Sequence, residues 1–322
     1  TDVTLLKKGS VTWDYYNKYT HGILASIPIP FVNGGLTAPT VNSAEIRNSG
    51  VEAYVSYDTK IRDLTINLSL NGSYNKNEIV KYKDNYIEPH GVGAWTEGVP
   101  VGTYWVREVD HIVQDKSEID ALISEGWTFN PSTPGPGDFL YKDVNNDKII
   151  DDNDRVLKGN PIPKFTYGST LNFGYKGFDL YAVFNGVSGW DKYLSGSLFA
   201  NQLRVDGRLY SIDKLNSWTP ENKSTTMPKV YINDAKNDMQ SDYFLKSANY
   251  LRLKSLQLGY TIPSKLTKMG NIDNLRVYVN LENYFTFTSY PGMDPENDGS
   301  AYNGSITYPL MKTISFGLNL TF

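Results

Sequence analysis

The last ten residues, 313–322, alternate without a break. Ile314, Phe316, Leu318, Leu320 and Phe322 share one face of a strand. Thr313, Ser315, Gly317, Asn319 and Thr321 share the other, because successive side chains of a strand point to opposite sides. A strand of a soluble sandwich alternates too. The aromatic at the final position, on the apolar face, favours a membrane barrel. Such barrels turn apolar residues to lipid and polar ones to the lumen, with aromatics at both interfaces. Ten residues at about 3.3 Å each, tilted about 45°, span roughly 23 Å, close to the ~25 Å apolar band of these barrels.

No stretch approaches the ~20 consecutive apolar residues of a transmembrane helix. The most apolar segment, 22–32, is about half that length and carries prolines. Mean hydropathy is −0.41. These features exclude a helical membrane protein and leave a barrel open, since half of each barrel strand is polar. The 24 Tyr, 13 Phe and 6 Trp among 322 residues suit interfacial girdles. Cysteine is absent, which removes disulfides and Cys-based zinc sites. The net charge of −4, with no basic stripe, argues against a nucleic-acid partner. Nothing at Thr1 resembles a signal peptide, so an exported chain of this kind is expected to be processed or a fragment.

Further alternating segments lie at 51–58, 64–71, 167–175, 178–185 and 275–282. Residues 248–261 alternate with a phase slip near Ser255, the signature of a bulge. Ser10 to Tyr19 is a weaker, aromatic-rich candidate. The reading is therefore all-β: an antiparallel transmembrane β-barrel portion of about eight strands. Short connectors at 59–63, 176–177 and 263–274 alternate with long ones at about 20–50, 75–163, 187–247 and 288–310. That is the asymmetry of short periplasmic turns and long outer loops. Residues 101–113 would break the parity as a spanning strand and are assigned to a hairpin inside the second outer loop. Ser117 to Asp120 has capping-box spacing and is expected to open a short helix ending at Gly126.

Several motifs resemble one family in order and spacing. They are Trp13-Asp14-Tyr15-Tyr16, Asn48-Ser49-Gly50-Val51-Glu52, and the acidic run Asp143 to Asp154 followed by Gly159-Asn160-Pro161-Ile162-Pro163. Tyr175 to Leu180, Tyr250 to Leu253 leading to Leu258-Gly259-Tyr260, and the terminal Phe316 to Phe322 complete the set. Together they resemble the C-terminal barrel portion of SusC/RagA-like TonB-dependent outer-membrane transporters of Bacteroidetes. The resemblance implies a barrel of about 22 strands with a plugged lumen, of which 1–322 supplies the last third without the plug. It also implies import of oligosaccharides, or less readily oligopeptides, across the outer membrane. A SusD-like lipoprotein would be the lid and TonB, acting through the absent plug, the energy source. Missing strands, outer-membrane lipid and a glycan or peptide substrate are the other implied partners.

Asp143, Asn145, Asp147, Ile149, Asp151 and Asp154 occupy positions 1, 3, 5, 7, 9 and 12 of an EF-hand-like spacing. A structural Ca2+ ion ordering an outer loop is one reading. Lys148 in place of Gly at position 6 and Asp154 in place of Glu at position 12 depart from the pattern. The other reading is an acidic turn held by side-chain-to-backbone hydrogen bonds. Trp95, Trp105 and Trp190 are candidates to stack sugar rings, against the plainer reading of girdle and loop packing. His21, His90 and His111 show no ligand spacing, and no nucleophile elbow, P-loop or dinucleotide fingerprint is present, so an enzyme is not expected. Phe316, Leu318, Leu320 and Phe322 are the expected membrane-insertion face. Arg276, Glu282 and Asp179 are lumen candidates or wall ion pairs. The alternative function is a small self-closing barrel with a structural or adhesive role, which would pair 10–19 with 313–322.

Overall fold

A computed structural model describes residues 2–5, 8–26, 39–82, 91–194, 199–203, 210–267, 271–296 and 309–322. Its main feature is one antiparallel sheet in chain order. The strands are β1 (Asp2–Leu5), β2 (Gly9–Ser26), β3 (Thr40–Ile61), β4 (Leu64–Tyr82), β5 (Phe165–Tyr175), β6 (Phe178–Ser188), β7 (Tyr250–Ile262), β8 (Asn274–Thr288) and β9 (Thr313–Thr321). Eight are long and match the eight alternating segments. The short β1 pairs only with Gly9–Thr12 of β2.

Register explains why the alternation matters. Residues opposite one another in a sheet share a face. Ile314 pairs with Leu281, Leu281 with Leu256, Leu256 with Ala182, Ala182 with Leu171, Leu171 with Leu68 and Leu68 with Tyr57. Seven strands thus give one unbroken apolar row. The neighbouring row on the opposite face runs Ser315, Asn280, Gln257, Tyr181, Asn172, Asn67 and Asp58. A sheet packed on a soluble core would bury its apolar face. Here Phe316 is 82% exposed and Phe322 81%.

Aromatic side chains border the apolar face at both ends. Tyr175, Phe178 and Tyr260 cluster beside the tight Lys176-Gly177 turn, with Phe178 and Tyr260 centroids 4.5 Å apart. Phe165 and Tyr74 pair at the other end, 5.0 Å apart. Phe165 and Tyr175 lie ten residues apart on β5, about 33 Å along the strand and about 25 Å across a membrane at ~40° tilt.

Four expectations need correction. The first long connector is shorter than 20–50, because β2 runs on to Ser26 and β3 starts at Thr40. Residues 101–113 are not one hairpin. Thr103–Arg107 pairs with Val92–Ala94 and Arg155–Lys158, whereas Val109–Ile112 pairs with Phe139–Tyr141. The helix α1 (Lys116–Ser124) starts after Asp115 and lacks a side-chain cap, so Ser117 does not open it. Gly126 does follow its end, at φ +89°. Finally, the second long connector begins later than 75, because β4 runs on to Tyr82.

The phase slip near Ser255 is present. Val183 faces Ser255 while Phe184 faces Leu253, leaving Lys254 as the extra residue. Among the described residues β2 does not pair with β9, so the sheet has two separate edges. No helix among the described residues is long and apolar enough to cross a membrane.

Candidate functional site

The polar face of the sheet and the folded connectors at one end form the candidate site. On β8, Arg276 donates from Nε to Asp179 Oδ1 at 2.9 Å and from Nη2 to Gln257 Oε1 at 2.7 Å. Its guanidinium also lies 4.9 Å from the Tyr278 ring centroid. Glu282, on the same face, accepts from Asn280 Nδ2 at 3.0 Å. Arg276 and Asp179 therefore form a wall ion pair.

Farther along the polar face, the Lys254 bulge shifts the phase and puts Arg252 opposite Asn185. Arg252 is 2% exposed and donates to Asp294 Oδ1 at 2.6 Å. Glu296 lies 2.9 Å from its other terminal nitrogen and also takes Lys254. Burial would raise the Asp294 pKa, but the Arg252 guanidinium and the amides of Glu296 and Leu310 hold it below the usual carboxylate range. Lys192 Nζ donates to Pro295 O at 2.9 Å. The connector after β8 is thereby fastened inward, onto the polar side of the wall.

The connectors after β4 and β6 form a shared cap with its own core. Ile112, Phe139, Tyr141, Ile150 and Trp218 are buried together, with Trp127 packed against them. A second cluster joins Val106 to Tyr193 and Phe244. The polar weld between the two connectors is Asp138, 1% exposed. It accepts from Gly135 N and Tyr231 OH at 2.8 Å and from Asn237 Nδ2 at 3.1 Å, with Lys236 Nζ at 2.8 Å. A buried carboxylate is tolerated because it is paired and fully hydrogen-bonded. No sequence pattern marked Asp138, Arg252 or Asp294.

The acidic loop folds around its own backbone. Asp143 accepts from the amides of Asp147 and Lys148, Asp147 from Ile149, and Asp151 from Asn153. Asp154, fully buried, accepts from Val144 N at 2.8 Å and Asp151 N at 2.9 Å. Asn145 accepts from the amide of Asp147 and donates to its carboxylate. Ile149 pairs with Thr128. Lys148 takes φ +63°, so the chain turns sharply at the position where an EF-hand has glycine. Among the described residues, no three His, Cys, Asp or Glu side chains converge as a metal-holding group.

The three tryptophans each have their own packing partners. Trp95 packs on Ile79 and Tyr82, its ring centroid 5.4 Å from that of Tyr82. Trp105 sits opposite Leu157 in the small cap sheet. Trp190 donates from Nε1 to Pro161 O at 3.0 Å and carries Lys192 Nζ 4.4 Å above its ring. Phe316, Leu318, Leu320 and Phe322 are all exposed on the apolar face. His90 lies outside the described residues. His111 is held between Asp110 and Glu118.

No protein-family model matches the chain. It is 28% identical over 333 residues to TonB-dependent receptor P3 of Formosa agariphila, covering 97% of this chain and 32% of that protein. It is 25% identical over 323 residues to TonB-dependent receptor SusC of Bacteroides thetaiotaomicron, covering 96% and 30%. Among solved structures, the RagAB peptide transporter superposes with a TM-score of 0.76 at 25% identity, over 98% of this chain and 34% of that one. The RagAB peptide importer in its closed-closed state gives 0.70 at 23% identity. The chain spans about a third of the length of the curated relatives it matches. In sequence, sheet order and fold the chain is similar to a barrel portion of SusC/RagA-like TonB-dependent transporters.

Proposed function

We propose that the chain supplies barrel wall and outer cap to a TonB-dependent importer of nutrient oligomers in the bacterial outer membrane. One observation carries this reading. A single apolar face runs unbroken across seven strands and is opposed by a polar face. Lipid is the solvent that suits such an exposed apolar face, and a watery conduit suits its reverse. The two sheet edges support assembly with further strands, since open backbone groups in hydrocarbon cost several kcal/mol each. They count against the self-closing alternative.

A SusD-like lipoprotein is the proposed lid over the cap, and TonB, through a plug, the proposed energy source. Oligosaccharides and oligopeptides are both candidate cargo; the likeness to a peptide transporter supports the second. Calcium binding by the acidic loop is a lesser proposal, supported by its spacing and by the turn at Lys148. It would require Asp143, Asp147, Asp151 and Asp154 to exchange amide partners for the cation.

The test is depletion of a mixed pool of oligosaccharides and oligopeptides by cells carrying the full-length transporter. Depletion should stop when TonB is removed. Depletion that continues unchanged without TonB would overturn the import reading.

A further inference from the structure

A cavity of about 260 Å³ lies where the inward-fastened connector after β8 meets the cap. Pro291, Gly292 and Met293 form one side. Leu194, Phe199, Met227 and Phe244 add apolar walls from the cap. Two lysines, Lys214 and Lys246, also line it. The volume is close to the lower end of the ~300–1,000 Å³ of ligand pockets, and an apolar lining with a few placed polar groups is their usual make-up.

The lysines set the chemistry. Lys214 Nζ donates to Phe199 O at 3.0 Å and Asn201 Oδ1 at 3.1 Å, both neutral acceptors. That leaves one ammonium proton uncommitted. Lys246 Nζ stands 4.9 Å over the Tyr243 ring, another wall residue. Among the described residues, no carboxylate comes within ion-pair distance of either amine. Three carboxylates act on the amines from beyond that distance, Asp238 and Asp213 on Lys214 and Asp242 on Lys246; Asp242 is itself paired with Lys158 and the Val109 amide, and Asp238 takes the Asn201 amide. Asp213, on the wall itself, is exposed and takes the Ser211 hydroxyl. Burial holds both ammonium groups below the usual lysine range. Two half-buried cations beside an apolar wall are matched by an anion joined to an apolar group.

We infer that this cavity is a binding subsite for an amphipathic carboxylate: an apolar side chain carrying a free carboxyl, as at the C-terminus of a short peptide. The apolar walls take the side chain and Lys214 and Lys246 take the carboxylate. A neutral oligosaccharide has neither group. This deepens the import proposal, on which it rests for its physiological meaning.

The test uses the full-length transporter in detergent and isothermal titration with three probes: Ala-Gly-Leu, its C-terminal amide, and maltotriose. The free acid should bind at least tenfold more tightly than the amide, with maltotriose weaker still at this subsite. Lys214→Met and Lys246→Met keep the aliphatic stems and should each erase most of the acid preference. Lys246→Arg should retain it. Equal binding of acid and amide, or an acid preference untouched by both methionine variants, would overturn the inference. TonB-dependent uptake without acid preference would sink this subsite and leave the importer standing. Acid preference without TonB-dependent uptake would do the reverse.

Discussion

Arg276 reaches across Gly259 to hold Asp179, two strands away. The intervening β7 residue can be crossed because it has no side chain: a Cβ at Gly259 would lie 2.5 Å from Arg276 Nη2 and 2.6 Å from Asp179 Oδ1. The pair ties β6 to β8 over the top of β7 on the polar face. Gly259→Val should displace the bridge at a cost of about 1–3 kcal/mol, the usual penalty of forcing bulk into a filled site. Arg276→Met should cost only about 1 kcal/mol, since the pair is partly hydrated. Urea unfolding in lipid vesicles measures both, and the order Gly259→Val worse than Arg276→Met is the specific expectation.

The Asp138 weld makes a different prediction. Asp138→Ala leaves Tyr231, Asn237 and Lys236 without their shared acceptor. Removing one partner of a buried pair costs roughly 3 kcal/mol, somewhat less here because Lys236 is part exposed. Hydrogen exchange should rise across the cap while the wall strands keep their protection. Uniform loosening of cap and wall would mean the two fold as one unit.

His111 gives the cap a pH dependence. Burial lowers its pKa, but hydrogen bonds to Asp110 and Glu118 outweigh this and raise it above the ordinary value of 6.5. A raised folded pKa means the protonated clamp contributes fully below about 6.5 and is lost as pH rises through the folded value. Glu118 lies in α1, so amide exchange in α1 should quicken on the alkaline side. His111→Gln should flatten that dependence. An α1 exchange profile that follows only the chemical exchange rate would remove the clamp.

Calcium provides a fourth check. The carboxylates of the 143–154 loop serve backbone amides, a network that can hold the turn by itself. Chelation should therefore change its proteolysis little. A strong calcium-dependent protection, lost in Asp143→Asn, would establish the cation in its place.

The eight long strands were legible because a sheet with one apolar and one polar face imposes a period of two. Legibility ended where that contrast ends. Residues 44–50 of β3 pair with β4, yet their alternation is lost to sequence reading, and a register shift lies between Glu45 and Ile46. The end of β2 is scrambled in a similar way by shifts around Thr20 to Leu24, with Gly22 at φ +70°. The 101–113 segment reads as a hairpin locally, but its two strands each found a distant partner. Asp138 lies just after a Pro/Gly-rich stretch whose composition signals only turns. Its burial depends on Tyr231 and Asn237, more than ninety residues away. The Arg276–Asp179 pair was within reach as a candidate because both residues fall on polar positions of alternating strands.

The face assignment itself can be measured directly. Residues 1–322 contain no cysteine, so single nitroxide labels can be placed one by one along 313–321 of the full-length transporter in bilayers once any cysteine elsewhere in it is replaced. Oxygen, concentrated in lipid, should relax labels at 314, 316, 318 and 320, with those at 315, 317 and 319 protected from it. In parallel, Leu318→Arg should cost roughly 2–4 kcal/mol if it lies near the midplane, and Asn319→Arg little. A period of two in that phase is the result predicted here. No periodicity, or the opposite phase, would contradict the claim that this sheet is a membrane wall with its apolar face to lipid.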